Sequence, residues 1–151
     1  MYKISVPLVK QTKSDTCWHA SSLMIWQYWQ LKTGRSGPMN TLSPHWVGNQ
    51  AIEPIDFINL ARKVGLKSLP TKASYTGVEL DTILKKHGPI WCAGYWYGVG
   101  HIVVLTGVDA QTVFINDPDG GKPKMEKLTW FNDKLAGNLD GAMMYKDPSA
   151  Y

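Results

Sequence analysis

The order of apolar and polar positions predicts helices in the first part of the chain and strands in the second. Apolar residues recur at helical spacing over residues 17–32 and 54–64, and a third helix opens at the capping-box sequence 76–79 and closes at Gly88. Gly34 and the residues up to Pro38 end the first helix. Its predicted buried side consists of Ala20, Leu23, Met24, Gln27 and Leu31.

Short runs rich in β-branched residues follow the third helix and predict strands. The predicted strands cover residues 90–97, 101–108, 112–116, 127–129 and 142–146. Helices followed by antiparallel strands are typical of an α+β fold. The chain has 151 residues, of which 44% are hydrophobic, so it has enough apolar material for a core, and we predict a single domain over residues 1–151.

Cys17 lies at the predicted start of the first helix and is the candidate nucleophile. Ser14, Asp15 and Thr16 are all suitable N-cap residues, so the sulfur is placed on the first turn. The unpaired N–H groups and partial positive charge of a helix N-terminus favour the thiolate, which is the reactive form of cysteine. A buried core cysteine and a disulfide with Cys92 are the alternatives. Cys92 itself lies in an apolar run and is predicted to be inert core.

His101 opens an apolar strand between two glycines and is the candidate base for this thiol. Residues 109–111 are a candidate hairpin turn. A two-residue turn with Asp109 opposite Thr112 would place His101 near Gly120 and leave Asp117 a few residues away. The twist of a sheet or a bulge can close that gap. Asp117 could then hold the orientation and tautomer of the imidazole.

Other residues compete for the roles of base and orienting group. Asn116 and Asp119 flank the candidate carboxylate, and the whole segment also has the composition of a simple turn. His19 points away from the sulfur, since two residues turn a helix by about 200°. His45 and His87 lie at predicted helix termini. These three histidines therefore have structural explanations.

The order and rough spacing of Gln11, the Cys17-Trp18 pair, His101 and the Asp117-Pro118 pair resemble those of the papain-like cysteine peptidases. The chain is most similar to compact bacterial members, namely plant-pathogen effector proteases, interbacterial toxin domains and double-glycine peptidases. The resemblance implies an N-terminal helical part carrying the cysteine and a C-terminal antiparallel sheet carrying the histidine and aspartate. It also implies that Cys17 attacks, His101 transfers the proton, Asp117 orients His101, and Gln11 donates to the oxyanion.

Trp18 follows the nucleophile where the double-glycine peptidases usually have Gly, which favours the effector and toxin branch. The resemblance implies a cysteine endopeptidase. The Gly-rich, aromatic segment 94–100 leads directly into His101, so its aromatic residues are expected to wall the cleft and to favour small residues such as Gly beside the scissile bond, which is also the specificity of the double-glycine peptidases. The residues expected to bind substrate are Trp18, Trp96, Tyr97 and Gly100, and Trp18 is also expected to pack beneath the helix start. A deamidase, an acyltransferase or a peptidoglycan amidase would use the same triad, and a non-catalytic papain-like binding module is a further alternative.

Composition and motifs also limit the partners. The net charge of +4 comes without a basic cluster, so nucleic-acid binding has little support. The cysteines and histidines do not form a familiar zinc spacing, and we expect no metal and no cofactor. No signal peptide or membrane segment is visible, so we expect a cytoplasmic protein of the producer or target cell, delivered by a specialised secretion system. The expected partners are a protein substrate in a target cell and a cognate immunity or inhibitor protein.

Overall fold

Helices pack on an antiparallel sheet in the computed structural model, which describes residues 1–13, 16–35 and 54–150. The helices are α1 (Cys17–Thr33), α2 (Pro54–Lys63), α3 (Gly77–His87) and α4 (Leu128–Lys134). The strands are β1 (Tyr2–Lys3), β2 (Leu66–Ser68), β3 (Ile90–Gly94), β4 (His101–Asp109), β5 (Thr112–Asp117), β6 (Lys122–Lys127) and β7 (Met143–Lys146). Within the described ranges the strand order is β2-β7-β3-β4-β5-β6, and β1 pairs with the end of β4.

The three predicted helices are confirmed, with small shifts at their ends. Thr76 caps α3, because its hydroxyl accepts a hydrogen bond from the Glu79 N–H (3.1 Å) while Glu79 Oε1 accepts one from the Thr76 N–H (3.1 Å). Gly34 ends α1 in the left-handed conformation, at φ 74°. Thr16 occupies the N-cap of α1, but its hydroxyl donates to the Lys13 carbonyl instead of capping the helix. The other predicted caps and breakers, Ser14, Asp15 and residues 36–38, lie outside the described residues, as does His45.

The β4–β5 hairpin has the predicted two-residue turn and contains a β-bulge. Asp109 pairs with Thr112 across the turn, and the register shifts by one residue between Leu105 and Gly107. Thr106 is the extra residue of this bulge. The bulge shifts the register so that Asp117, at the end of β5, lies closer to His101, at the start of β4. This closes part of the gap between these two residues that the sequence analysis predicted.

The sheet has an apolar cluster on each face. Side chains alternate along β4, so Ile102 and Val104 belong to one cluster while Val103 and Leu105 belong to the other. Helices α1 and α2 supply the first cluster, and helices α3 and α4 supply the second. The prediction of an α+β fold is therefore confirmed.

The buried side of α1 agrees only in part with the predicted one. Ala20 and Met24 are buried as predicted, Leu23 and Gln27 are partly buried, and Leu31 is 79% exposed. The other buried residues of the helix are Cys17, Trp18, Ser21, Ser22 and Ile25. Ser21 and Ser22 can be buried because their hydroxyls donate to backbone carbonyls, those of Ile102 (3.4 Å) and Trp18 (2.7 Å). The pattern of apolar positions alone therefore does not predict a buried helix face that contains such serines.

The strand predicted at residues 127–129 is wrong. Lys127 ends β6 and Leu128 begins α4, where Leu128 and Phe131 are buried on one helical face. The sequence gives no sign of β6, because Lys-Pro-Lys-Met-Glu-Lys has no apolar alternation and the strand lies at the edge of the sheet. The very short strands β1 and β2 were also missed, and β3 ends at Gly94 instead of residue 97.

Candidate active site

The first turn of α1 is fixed against the sheet close to the start of β4. The Ser21 hydroxyl donates to the carbonyl of Ile102, the second residue of β4 (3.4 Å), and Trp91 Nε1 donates to the carbonyl of Trp18 (3.3 Å). Both hydrogen bonds are buried, so water does not compete with them. They hold the N-terminal turn of α1, which carries Cys17, close to the start of β4, where His101 lies.

Both cysteines are free thiols, so the alternative disulfide is not formed. Cys92 lies within β3 at 0% exposure, and its thiol donates weakly to the carbonyl of Ile90 (3.5 Å). Burial raises its pKa well above the usual range for a thiol, which keeps it protonated. Cys17 is also buried, at 3% exposure, but a histidine accompanies it.

His101 lies between Cys17 and Asp117. Its Nε2 is 2.7 Å from Asp117 Oδ1, which leaves Nδ1 as the ring nitrogen for the sulfur. Burial acts to lower the pKa of His101, but the hydrogen bond to Asp117, followed by the hydrogen bond to and the negative charge of Cys17, raises it to about 9. The imidazole is therefore held in its protonated form at neutral pH.

Asp117 is buried at 1% exposure, yet it remains ionised because several donors surround it. His101 and the Asp119 N–H (2.9 Å) bond to Oδ1, while Lys124 Nζ (2.7 Å) and the Tyr97 hydroxyl (3.1 Å) bond to Oδ2. Burial acts to raise the pKa of Asp117, but the hydrogen bonds from His101 and Lys124 lower it to about 2. Lys124 was not among the residues predicted from the sequence, because β6 itself was not.

The structure separates Asp117 from its two rivals. The Asn116 side chain donates to the Val6 carbonyl (3.1 Å), and Asp119 contributes its backbone N–H to Asp117. The competing histidines also have other surroundings. His19 packs edge-on against Trp18 with ring centroids 5.5 Å apart, and His87 stacks on Tyr145 at 3.9 Å. Burial lowers the pKa of both these imidazoles.

Gln11 lies beside the start of α1. Its backbone N–H donates to the Pro118 carbonyl (2.8 Å), which connects this segment to the turn that follows Asp117. Its side-chain Nε2 donates to the Lys13 carbonyl (2.9 Å). Gln11, Thr16 and His19 help to line a cavity of about 110 Å³ at the first turns of the helix. The Gln11 side chain therefore lies beside the first turns of α1.

The expected substrate-binding residues divide into two groups. Trp18 is 1% exposed and Trp96 is 8% exposed, and the Trp96 indole donates to the Phe131 carbonyl (2.9 Å). These two tryptophans belong to the core, which corrects the expectation that they bind substrate but agrees with the expected packing of Trp18 beneath the start of α1. Tyr97 is 46% exposed and packs edge-on against His101 at 5.4 Å, and Gly100 is exposed, so both remain accessible to a ligand.

Two features are absent from the described residues, namely a metal-binding cluster and a membrane-spanning helix. No group of three or more His, Cys, Asp or Glu side chains could hold a metal ion in residues 1–13, 16–35 and 54–150. In the same ranges, no helix has the length and apolar character needed to cross a membrane.

A thiol, an imidazole and a carboxylate in this order form an arrangement suited to nucleophilic acyl transfer. The family model described as papain-like cysteine protease AvrRpt2 matches residues 1–136. Among solved structures, the chain is similar to a double glycine motif protease from an AMS/PCAT transporter, crystallised in complex with the leader peptide. The TM-score is 0.58 at 20% identity, over 95% of this chain and 91% of that chain, which shows a shared fold. The chain has a papain-like α+β fold and belongs to the AvrRpt2 family of papain-like cysteine proteases.

Proposed function

We propose that Cys17, His101, Asp117 and Gln11 form the active site of a cysteine endopeptidase that cleaves a protein substrate through a thioester. The observation that carries this proposal is the 2.7 Å contact of His101 Nε2 with Asp117 Oδ1, on an imidazole whose pKa Cys17 also raises. A thiolate paired with an imidazolium provides a nucleophile and a proton donor at the same place.

In the acylation step, the Cys17 sulfur attacks the carbonyl carbon of the scissile amide. A C–S bond forms, and the π electrons of the carbonyl move to its oxygen. The Cys17 backbone N–H and the Gln11 amide donate hydrogen bonds to this oxyanion. One well-placed donor of this kind stabilises the transition state by about 3 to 4 kcal/mol. His101 then gives its proton to the amide nitrogen, the C–N bond breaks, and the amine product leaves.

In the deacylation step, His101 takes a proton from a water molecule that attacks the thioester carbonyl. The new C–O bond forms, the C–S bond breaks, and Cys17 leaves as the thiolate. Asp117 stays ionised throughout and holds Nε2–H, so that Nδ1 faces the reaction. Gln11 can keep its bond to Lys13 and still donate to the oxyanion, because a side-chain amide carries two N–H groups.

The substrate is proposed to have small residues, above all Gly, beside the scissile bond. Tyr97 stands edge-on to His101 and is half exposed, so a bulky side chain entering next to the imidazole would meet its ring. The crystallised protein of similar fold acts on a double-glycine motif, which supports the same preference. We further propose that the protein is a bacterial effector or interbacterial toxin that is held inactive in its producer by an immunity protein occupying the cleft.

Mapping of new protein N-termini after expression in bacteria tests this function. Wild type should produce cuts with small flanking residues, and Cys17→Ala should produce none of them. His87→Ala is a matched control, because it removes a histidine that stacks on Tyr145 outside the site. Cuts flanked by bulky residues would contradict the small-residue preference.

Other outcomes separate the related chemistries. Loss of side-chain amide nitrogen from cellular proteins without new termini would indicate a deamidase, and release of cell-wall fragments would indicate a peptidoglycan amidase. Transfer of an acyl group to an amine would indicate an acyltransferase. Each of these results must depend on Cys17 to implicate the same thioester chemistry.

A further inference from the structure

The side chains of Lys124, Tyr97 and Asp117 are joined to one another by three hydrogen bonds. Lys124 Nζ lies 2.7 Å from Asp117 Oδ2 and 3.2 Å from the Tyr97 hydroxyl, which itself donates to Oδ2 (3.1 Å). His101 bonds to the other oxygen, Oδ1. The three side chains come from different places in the fold, namely β6, β5 and the loop between β3 and β4.

This arrangement divides the two oxygens of the carboxylate between two tasks. Because Lys124 and Tyr97 engage one oxygen while His101 engages the other, turning the carboxylate plane out of its present orientation would weaken all of these hydrogen bonds at once. The bond of the Asp119 N–H to Oδ1 acts in the same direction. One carboxylate oxygen therefore stays directed at the imidazole, and the orientation of His101 depends on groups that do not hydrogen-bond to it directly.

We propose that Lys124 and Tyr97 are positioning residues that keep Asp117 ionised and turned toward His101, and that Lys124 limits how strongly Asp117 holds the imidazolium proton. This inference concerns the site of the proposed function and rests on it. Neither side chain has a part in bond making or breaking.

The second half of the inference follows from the charges around the imidazole. The titratable groups in contact with the His101–Asp117 pair are Cys17 from α1, Tyr97 from the loop and Lys124 from β6. Lys122 of β6 lies opposite Asp117 in the ladder and is exposed. Burial acts to lower the pKa of Lys124, but the bonds to Asp117 and Tyr97 raise it above its usual range, so it carries a full positive charge. Without that positive charge, the negative charge of Asp117 stabilises the imidazolium more strongly. The pKa of His101 should therefore rise above about 9.

The pH dependence of Cys17 alkylation by iodoacetate measures this effect without a protein substrate. Iodoacetate is an anion that an imidazolium attracts, so the rate should fall as His101 loses its proton. Alkylation is followed on the Cys17 peptide by mass spectrometry, and the fully buried Cys92 serves as an internal reference. The variants are Lys124→Met, Lys124→Arg, Tyr97→Phe and the control Lys122→Met.

Lys124→Met should shift the upper limb of the profile upward by roughly half to one pH unit. At neutral pH, where His101 is protonated in both proteins, alkylation should slow by about tenfold, because loss of the Lys124 hydrogen bond leaves Asp117 and the imidazolium less firmly oriented toward Cys17. Tyr97→Phe keeps the ring beside His101 and should produce a smaller shift in the same direction. Lys124→Arg should restore the wild-type profile, because a guanidinium can also donate to Oδ2. Lys122 lies opposite Asp117 in the β5–β6 ladder, but it is exposed and is not among the donors to Asp117. Lys122→Met therefore removes a solvent-screened charge without removing a hydrogen bond, and it should shift the profile much less than Lys124→Met.

Identical profiles for Lys124→Met and Lys122→Met, or a downward shift for Lys124→Met, would overturn the inference. If Lys124→Met does not fold, as judged by circular dichroism, Tyr97→Phe decides: an unchanged profile refutes the positioning role. Absence of selective Cys17 alkylation in wild type would instead contradict the proposed function, so the two failures are distinguishable.

Discussion

Asp117→Asn removes the carboxylate charge while keeping an oxygen that can accept the bond from His101 Nε2. The pKa of His101 is raised from 6.5 to about 9, which corresponds to about 3 kcal/mol of preference for the imidazolium at about 1.4 kcal/mol per unit. Burial opposes this rise, and the bond to Asp117 is the largest effect that favours it. We therefore expect the pKa of His101 to fall by more than about one unit in Asp117→Asn.

Proton titration followed by NMR on histidine-labelled protein measures this change. The His101 signal is assigned with a His101→Gln variant. His19 and His87 act as internal controls in the same spectrum, because burial rather than Asp117 sets the direction of their shifts. A wild-type His101 that titrates below its ordinary pKa, or one that titrates identically in Asp117→Asn, would refute the electrostatic reasoning.

The same substitution tests the contribution of Asp117 to stability. Its pKa is lowered from 3.8 to about 2, so the ionised carboxylate stabilises the fold by about 2 kcal/mol at neutral pH. Because the pKa is lower in the folded state, this stabilisation is present above about pH 4 and is lost as the pH falls through about 2. The melting temperatures of wild type and Asp117→Asn should differ by about 4 to 8 °C at neutral pH and should converge in acid.

Three further predictions concern activity. Cys17→Ala should abolish turnover while leaving the circular dichroism spectrum and melting temperature nearly unchanged, and a folded, fully active Cys17→Ala protein would exclude cysteine catalysis. His101→Ala should be as damaging as Cys17→Ala in the same turnover assay, whereas His19→Ala and His87→Ala should be mild; loss of activity in either of the latter would move the base to that histidine. Gln11→Ala should lower kcat by about 100-fold to 1000-fold, as for loss of one oxyanion donor, and wild-type kcat would remove Gln11 from the site.

The sequence predicted those parts of the molecule that local chemistry determines. The start of α1, the capping box of α3 and the Asp109–Thr112 turn all depend on neighbours within a few residues, and all three are present. The hairpin register placed Asp117 within a few residues of His101, and the bulge at Thr106, which the sequence allowed but did not locate, brings the two side chains to the same face.

The remaining parts depend on contacts between distant segments. Lys124 lies on an exposed edge strand whose sequence has no apolar pattern, so nothing local placed its ammonium against a carboxylate of β5. Trp18 and Trp96 were expected to bind substrate, but the sequence alone does not distinguish an aromatic side chain of a cleft from one of the core. In the structure, the Trp18 carbonyl accepts a hydrogen bond from Trp91 of β3, and the Trp96 indole donates one to the Phe131 carbonyl of α4. Contacts of this kind between distant segments cannot be predicted from local sequence.

The bulge at Thr106 makes the number of residues between base and carboxylate informative. In a regular hairpin with a two-residue turn, residues on the same face that lie opposite each other are separated by an odd number of positions. His101 and Asp117 are separated by 16, an even number, so a regular hairpin would put them on opposite faces of the sheet. The extra residue in β4, Thr106, brings the two side chains back to the same face. Among related sequences, an even His-to-Asp separation with this turn therefore predicts a bulge, and an odd one predicts a regular ladder.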